Sequence, residues 1–185
     1  YASQTSTVYQ EFGDRLPDGI VRLLFTLPDH FGRILSELDA APQTLIHVDL
    51  HLDNVIFIRT GAVILDWQSV SCGPAAVDVA GLLFESLTVD DQRTHGTELL
   101  RGYHRRLEDA CDETYGYDRF LDDCVRALLV RFAGTIGWLA RVATLKPSGR
   151  ELALVEAIFE PGRLFVCNPQ LEREDGVPPQ VRLQL

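Results

Sequence analysis

Asp49, Asn54 five positions on and Asp66 twelve beyond that are the side chains of this 185-residue sequence whose types and spacing suit chemistry on a phosphoryl group. Such transfer asks little covalent work of a protein. It needs a carboxylate to accept the proton of the acceptor hydroxyl, and hard oxygen ligands to hold magnesium against the phosphates. The segment His47-Val48-Asp49-Leu50-His51-Leu52-Asp53-Asn54 and the later Ile64-Leu65-Asp66-Trp67 supply both kinds of group.

Two apolar, β-rich runs lie between Asn54 and Asp66. Val55-Ile56-Phe57-Ile58 and Ala62-Val63-Ile64-Leu65 are separated by Arg59-Thr60-Gly61, a pattern that predicts a hairpin with a three-residue turn. Folding about Thr60 pairs Asn54 with Asp66, so two oxygen ligands are expected to meet at the open end of the hairpin. Asp49 then sits on the entering loop, free to face a substrate.

A rival chemistry uses the alternation His47, Asp49, His51, which would set three metal ligands along an extended segment in the manner of a zinc hydrolase. It leaves Asn54, Asp66 and the Gly73-Pro74 pair without a role. With Asp49, Asn54 and Asp66 as the working set, His47 and His51 are instead structural histidines bonding locally.

These residues resemble the C-terminal lobe of the aminoglycoside phosphotransferase and choline kinase superfamily, of protein-kinase-like fold, in an ecdysteroid-kinase-like variant. The similarity runs over residues 10–145. It lies in His47-Val48-Asp49, Asn54 and Leu65-Asp66-Trp67, and continues through Gly73-Pro74 to the helix start Asp78-Val79-Ala80. The resemblance implies Asp49 as catalytic base, Asn54 and Asp66 as Mg2+ ligands, ATP or GTP as phosphoryl donor, and His47 and Asp78 as braces of the loop. The acceptor would be a small hydroxylated molecule. The family glycine between His and Asp is Val48 here, a β-branched residue that is strained wherever the backbone requires positive φ.

The nucleotide-gripping parts of a kinase are not found. The single lysine is Lys146, far beyond the catalytic loop, and no glycine-rich loop precedes it. The chain opens on Tyr1 and contains no methionine. It is therefore expected to be a fragment, a catalytic lobe without its N-terminal nucleotide lobe and inactive alone. Val48 and the absent lysine also support a non-catalytic, pseudokinase-like binding module.

With 46% hydrophobic residues, the composition suits one α+β, mostly helical lobe over 1–167, followed by an extended tail over 168–185. No apolar run approaching a membrane span and no signal peptide is read from the sequence. Cys72, Cys111, Cys124 and Cys167 are scattered, as free thiols of a reducing compartment are, so a cytoplasmic location without membrane partner is expected. A net charge of -10 argues against a nucleic-acid partner and permits a cationic acceptor, drawn to the acidic stretches 108–113 and 118–123.

Around the hairpin, helices are expected over 20–27 and 31–38, broken at Pro28 with Asp29 as cap. Another should open at Thr88-Val89-Asp90-Asp91, a capping box with aspartate in place of glutamate. A stripe from Phe120 to Phe132 should form a core helix that Gly134 and Gly137 allow to pack closely. A last helix is expected over 148–159, stopped by Pro161-Gly162.

Overall fold

The computed structural model describes residues 2–110 and 114–144. The helix expected over 148–159, the tail over 168–185, the boundary at 167, Lys146, Cys111 and Cys167 lie outside them. What is described is mostly helical, with two small antiparallel sheets.

Helix α1 (Ala2–Phe12) leads into α2 (Asp18–Asp39), which passes through Pro28 without a break. The expected interruption fails because a proline forfeits one hydrogen bond, costing roughly 3 kcal/mol, while α2 buries Ile20, Leu24, Leu27, Ile34 and Leu38 along one stripe. Each such side chain gains about 1.5–3 kcal/mol on burial, so packing wins over local propensity. Asp29 is consequently mid-helix and caps nothing.

Strand β1 (Gln43–Ile46) follows, then the loop 47–54, whose end is a short 3-10 turn. Strands β2 (Val55–Ile58) and β3 (Gly61–Ile64) form the expected hairpin. Strand β4 (Ser71–Pro74) returns to pair with β1. This second sheet, which absorbs the Gly73-Pro74 pair, was not foreseen: its strands are four residues long and only Ile46, Gly73 and Pro74 among them are buried. Helices α3 (Ala76–Ser86), α4 (Val89–Ala110) and α5 (Tyr117–Thr144) complete the described elements. Thr88 caps α4 as expected: its Oγ1 accepts from the Asp91 N–H at 3.1 Å and donates to the Asp91 carboxylate at 2.6 Å.

Helix α5 is the spine. Its C-terminal half packs Phe132, Ile136 and Leu139 against Val8 and Phe12 of α1 and Leu24 and Leu27 of α2. Its N-terminal half packs Phe120, Cys124 and Leu128 against Val79, Leu83 and Leu100 from α3 and α4. Contrary to the sequence reading, α5 is long and apolar enough to cross a membrane by length and composition alone; those apolar residues are the ones that both cores use. Gly134 and Gly137 do not serve close packing, since a Cβ at Gly134 would meet nothing within 4 Å and one at Gly137 only the Gln4 side chain at 3.8 Å. The close approach occurs at Gly81 instead, beneath Arg131.

Candidate active site

The loop 47–54 leaves buried Ile46 and is tied down at once. Both oxygens of the Asp78 carboxylate, from the first turn of α3, accept successive backbone N–H groups, His47 at 2.6 Å and Val48 at 2.8 Å. Bonds to an ionised acceptor are roughly twice as strong as neutral ones. They hold Val48 at φ 73°, the left-handed region. The position that needed a glycine-like conformation therefore has it, with a valine, at a cost of roughly 1–2 kcal/mol.

His47 is 1% exposed. Its Nε2 donates to the Leu65 carbonyl at 2.7 Å, and its ring meets Trp67 edge-on at 4.9 Å. The histidine thus ties the loop to the far end of the hairpin, and its buried Nδ1 finds no partner. Trp67 is fixed in turn by Nε1 donating to Ile64 O at 3.0 Å.

Asp49 follows Val48 with its side chain 50% exposed and one carboxylate oxygen 4.0 Å from His51 Nε2. The Asn54 amide nitrogen donates to Asp49 O at 3.0 Å and lies 3.2 Å from His51 Nε2. The loop therefore grips Asn54 by its nitrogen, and the amide oxygen is the atom a cation would take. His51 sits between two carboxylates, with Nδ1 3.9 Å from Asp53.

The hairpin register differs from expectation by one residue. Val55 pairs with Ile64 and Ile58 with Gly61, so Asn54 faces Leu65, whose N–H donates to Asn54 O at 2.8 Å. The turn is Arg59-Thr60 alone. Two-residue hairpin turns usually need positive φ within the turn. Neither Arg59 nor Thr60 adopts it, and the unusual backbone falls on Gly61 at φ 153°. Asp66 lies two residues past the end of β3 at φ 59°, ψ 57°, a left-handed conformation that aspartate tolerates better than most residues. The position of its carboxylate is set by that turn and by a contact from Gln68 Nε2 at 3.4 Å, not by cross-strand pairing with Asn54.

Among the described residues no group of three or more His, Cys, Asp or Glu side chains is arranged to hold a metal ion. His47, Asp49 and His51 are accordingly not gathered into a zinc-type cluster, and His47 spends its Nε2 on a carbonyl.

Asp49 opens onto a cavity of about 790 Å3 that is also lined by Asp53, Glu85, Ser86 and Trp138. The acidic lining comes from the loop and α3, not from the stretches singled out in the sequence. Of those, Asp123 is buried, accepting from Tyr115 Oη at 2.7 Å and Arg126 Nη1 at 3.0 Å, and Glu108 lies 3.4 Å from His104. Burial, together with the bond to Asp123, pushes the Tyr115 phenol well above its ordinary range. Residues 111–113 lie outside the described part.

Sequence reasoning missed three supports. Arg131 Nη1 donates to Val48 O at 2.9 Å from the middle of α5. Its Nε donates to Glu85 at 3.2 Å, and Nη2 binds the same carboxylate. Ser86 Oγ accepts from Leu52 N–H at 3.1 Å. The helical spacing of Asp78, Gly81, Glu85 and Ser86, which sets all four on the loop side of α3, was the available signal. Nothing in the sequence points to Arg131.

The sequence profile of the phosphotransferase enzyme family matches residues 10–120. The chain belongs to that family. The match spans the loop, the hairpin and α3 of this phosphotransferase-family chain, while Arg131 and Trp138, which complete the site from α5, lie beyond it. No curated protein and no solved structure matches it.

Proposed function

We propose that the chain is the catalytic, C-terminal lobe of a small-molecule phosphotransferase, moving the γ-phosphoryl of ATP or GTP to an acceptor hydroxyl. The observation that carries this reading is the braced loop, which holds Asp49 at the mouth of an open cavity, with Asn54 bonded to the Asp49 carbonyl. Asp49 orients the acceptor hydroxyl and takes its proton as the oxygen attacks phosphorus. His47, His51 and Asp78 keep the loop in place.

On the chemistry of their donors Asn54 and Asp66 would hold magnesium, although Asn54 stands opposite Leu65 and not Asp66. They offer one amide oxygen and one exposed carboxylate, and Mg2+ commonly takes one or two protein oxygens with phosphates and water completing its shell. When bound, the ion neutralises charge on the phosphates. Trp138 with Asp49, Asp53 and Glu85 suits a cationic, hydroxylated acceptor, since carboxylates and an aromatic face both attract ammonium groups.

The phosphate-gripping lysine and covering loop must come from a nucleotide lobe that the described residues do not include. The hairpin offers a surface for it: Phe57 is 73% exposed, with Ile56, Ile58, Val63, Leu65 and Trp67 also open to solvent. Purified residues 1–185 should transfer no phosphoryl group. With a nucleotide lobe restored, turnover should appear and fall by about 10²–10⁴ in Asp49→Asn. Turnover that survives Asp49→Asn would remove the aspartate from the reaction.

A second reading, a non-catalytic binding module, is favoured by one feature, the valine held at φ 73° where the family carries glycine. It predicts nucleotide or acceptor binding without turnover even when the lobe is restored.

A further inference from the structure

Arg131 reaches the loop from a helix that touches none of the motif residues in sequence, and it does so along a prepared path. Helix α3 presents Asp78, Gly81 and Glu85 at i, i+3 and i+7. The guanidinium lies on Gly81, where an added Cβ would stand 2.9 Å from Cζ and Nη1 and 3.1 Å from Nε. One edge of the fork is committed to Glu85 through Nε and Nη2, and the remaining Nη1 donates to Val48 O. A planar guanidinium fixed on two sides has its third direction fixed as well.

The carbonyl it meets belongs to the peptide linking Val48 to Asp49. Asp78 pins the two N–H groups that precede this peptide. Because the peptide is planar, holding its oxygen fixes the plane from which Asp49 departs. A valine at φ 73° does not hold that plane by itself. We propose that Arg131, oriented by Glu85 over Gly81, is a positioning residue that fixes the Val48–Asp49 peptide and so aims Asp49 into the cavity. This rests on Asp49 being the acceptor-facing carboxylate.

The test reads the loop without any phosphoryl transfer, on isotope-labelled residues 1–185. In Arg131→Met, the Val48 carbonyl and Asp49 amide resonances should move, and the Val48 Cα and Cβ shifts should leave left-handed values. Arg131→Lys should not restore them, because one ammonium group cannot span Glu85 and the carbonyl together. Val48→Gly should raise the urea midpoint of the parent, and that gain should shrink to about half in Arg131→Met, the coupling expected of two residues acting on one peptide. Glu85→Gln, which leaves Arg131 in place, should produce the same resonance changes at smaller size and serves if Arg131→Met does not fold. Changes confined to α3 and α5, with Val48 and Asp49 unmoved and the two substitutions additive, would overturn the proposal. Such a result leaves the phosphotransferase reading standing, whereas turnover lacking any dependence on Asp49 would end that reading without altering the loop measurement.

Discussion

On its helical side the loop 47–54 is held by ionised groups, Asp78 on two N–H groups and the Glu85–Arg131 pair on a carbonyl. On its hairpin side the ties are two hydrogen bonds to Leu65, one from the His47 ring and one through the Asn54 carbonyl, and the edge contact of His47 with Trp67. The hairpin itself has exposed side chains on both strands. The first side is finished within this chain. The second presents an apolar surface with nothing on it among the described residues. Asp49 is therefore placed by this chain's own helices, while Asp66, the proposed metal ligand, follows a hairpin whose side chains are largely exposed.

The contrast breaks most visibly at Asp78. Asp78→Ala removes both charge-assisted acceptors and leaves two N–H groups seeking partners, so about 3 kcal/mol of unfolding free energy should be lost. Urea unfolding measures it; a loss below about 1 kcal/mol would mean the loop does not depend on α3.

A smaller effect distinguishes the buried polar bonds of the helical side from the exposed hairpin. The Tyr115 phenol, buried and bonded to Asp123, has its folded pKa raised above the unfolded value of 10.0. Its contribution is complete below about pH 10 and is lost as pH rises, because the unfolded chain releases the proton first. Stability should fall above about pH 10 by up to about 1.4 kcal/mol per pH unit for this group. Tyr115→Phe should flatten that fall while lowering stability at neutral pH; an unchanged alkaline slope would contradict the assignment. Tyr117, raised chiefly by burial, leaves a residual slope in the variant.

The smallest change is expected on the hairpin. Phe57→Ser should shift stability by no more than about 0.5 kcal/mol, since the ring is already in water. Its effect should fall on association with a nucleotide lobe, measured by titration calorimetry. A large loss of intrinsic stability would show that the hairpin is packed by this chain after all.

The sequence pointed to the family better than it pointed to the supports of the loop. Asp49, Asn54 and Asp66 stand out in the sequence as candidates because phosphoryl transfer restricts residue type and spacing, and the Thr88 cap was legible because capping is local. The register was not, since whether Gly61 closes the turn or opens β3 depends on backbone angles that composition leaves open. Helix α2 crosses Pro28 because of burial decided by α1 and, above all, by α5, which is remote in sequence. Arg131 was invisible for the same reason: its partners lie 46 and 83 positions away. Val48 marks the boundary between the two cases. The sequence identified the strain that positive φ would bring, and the Asp78 and Arg131 bonds supply what holds it.

The proposed division of labour between Asp49 and Asp66 is tested most directly by titrating isotope-labelled chain with ATP at rising magnesium and following the amides of residues 49, 54 and 66. Magnesium-dependent shifts should appear at Asn54 and Asp66 in the parent, persist within about twofold in apparent affinity in Asp49→Asn, and vanish in Asp66→Asn. Equal loss in both variants, or shifts that survive Asp66→Asn, would contradict the assignment of Asp66 to the metal and Asp49 to the acceptor.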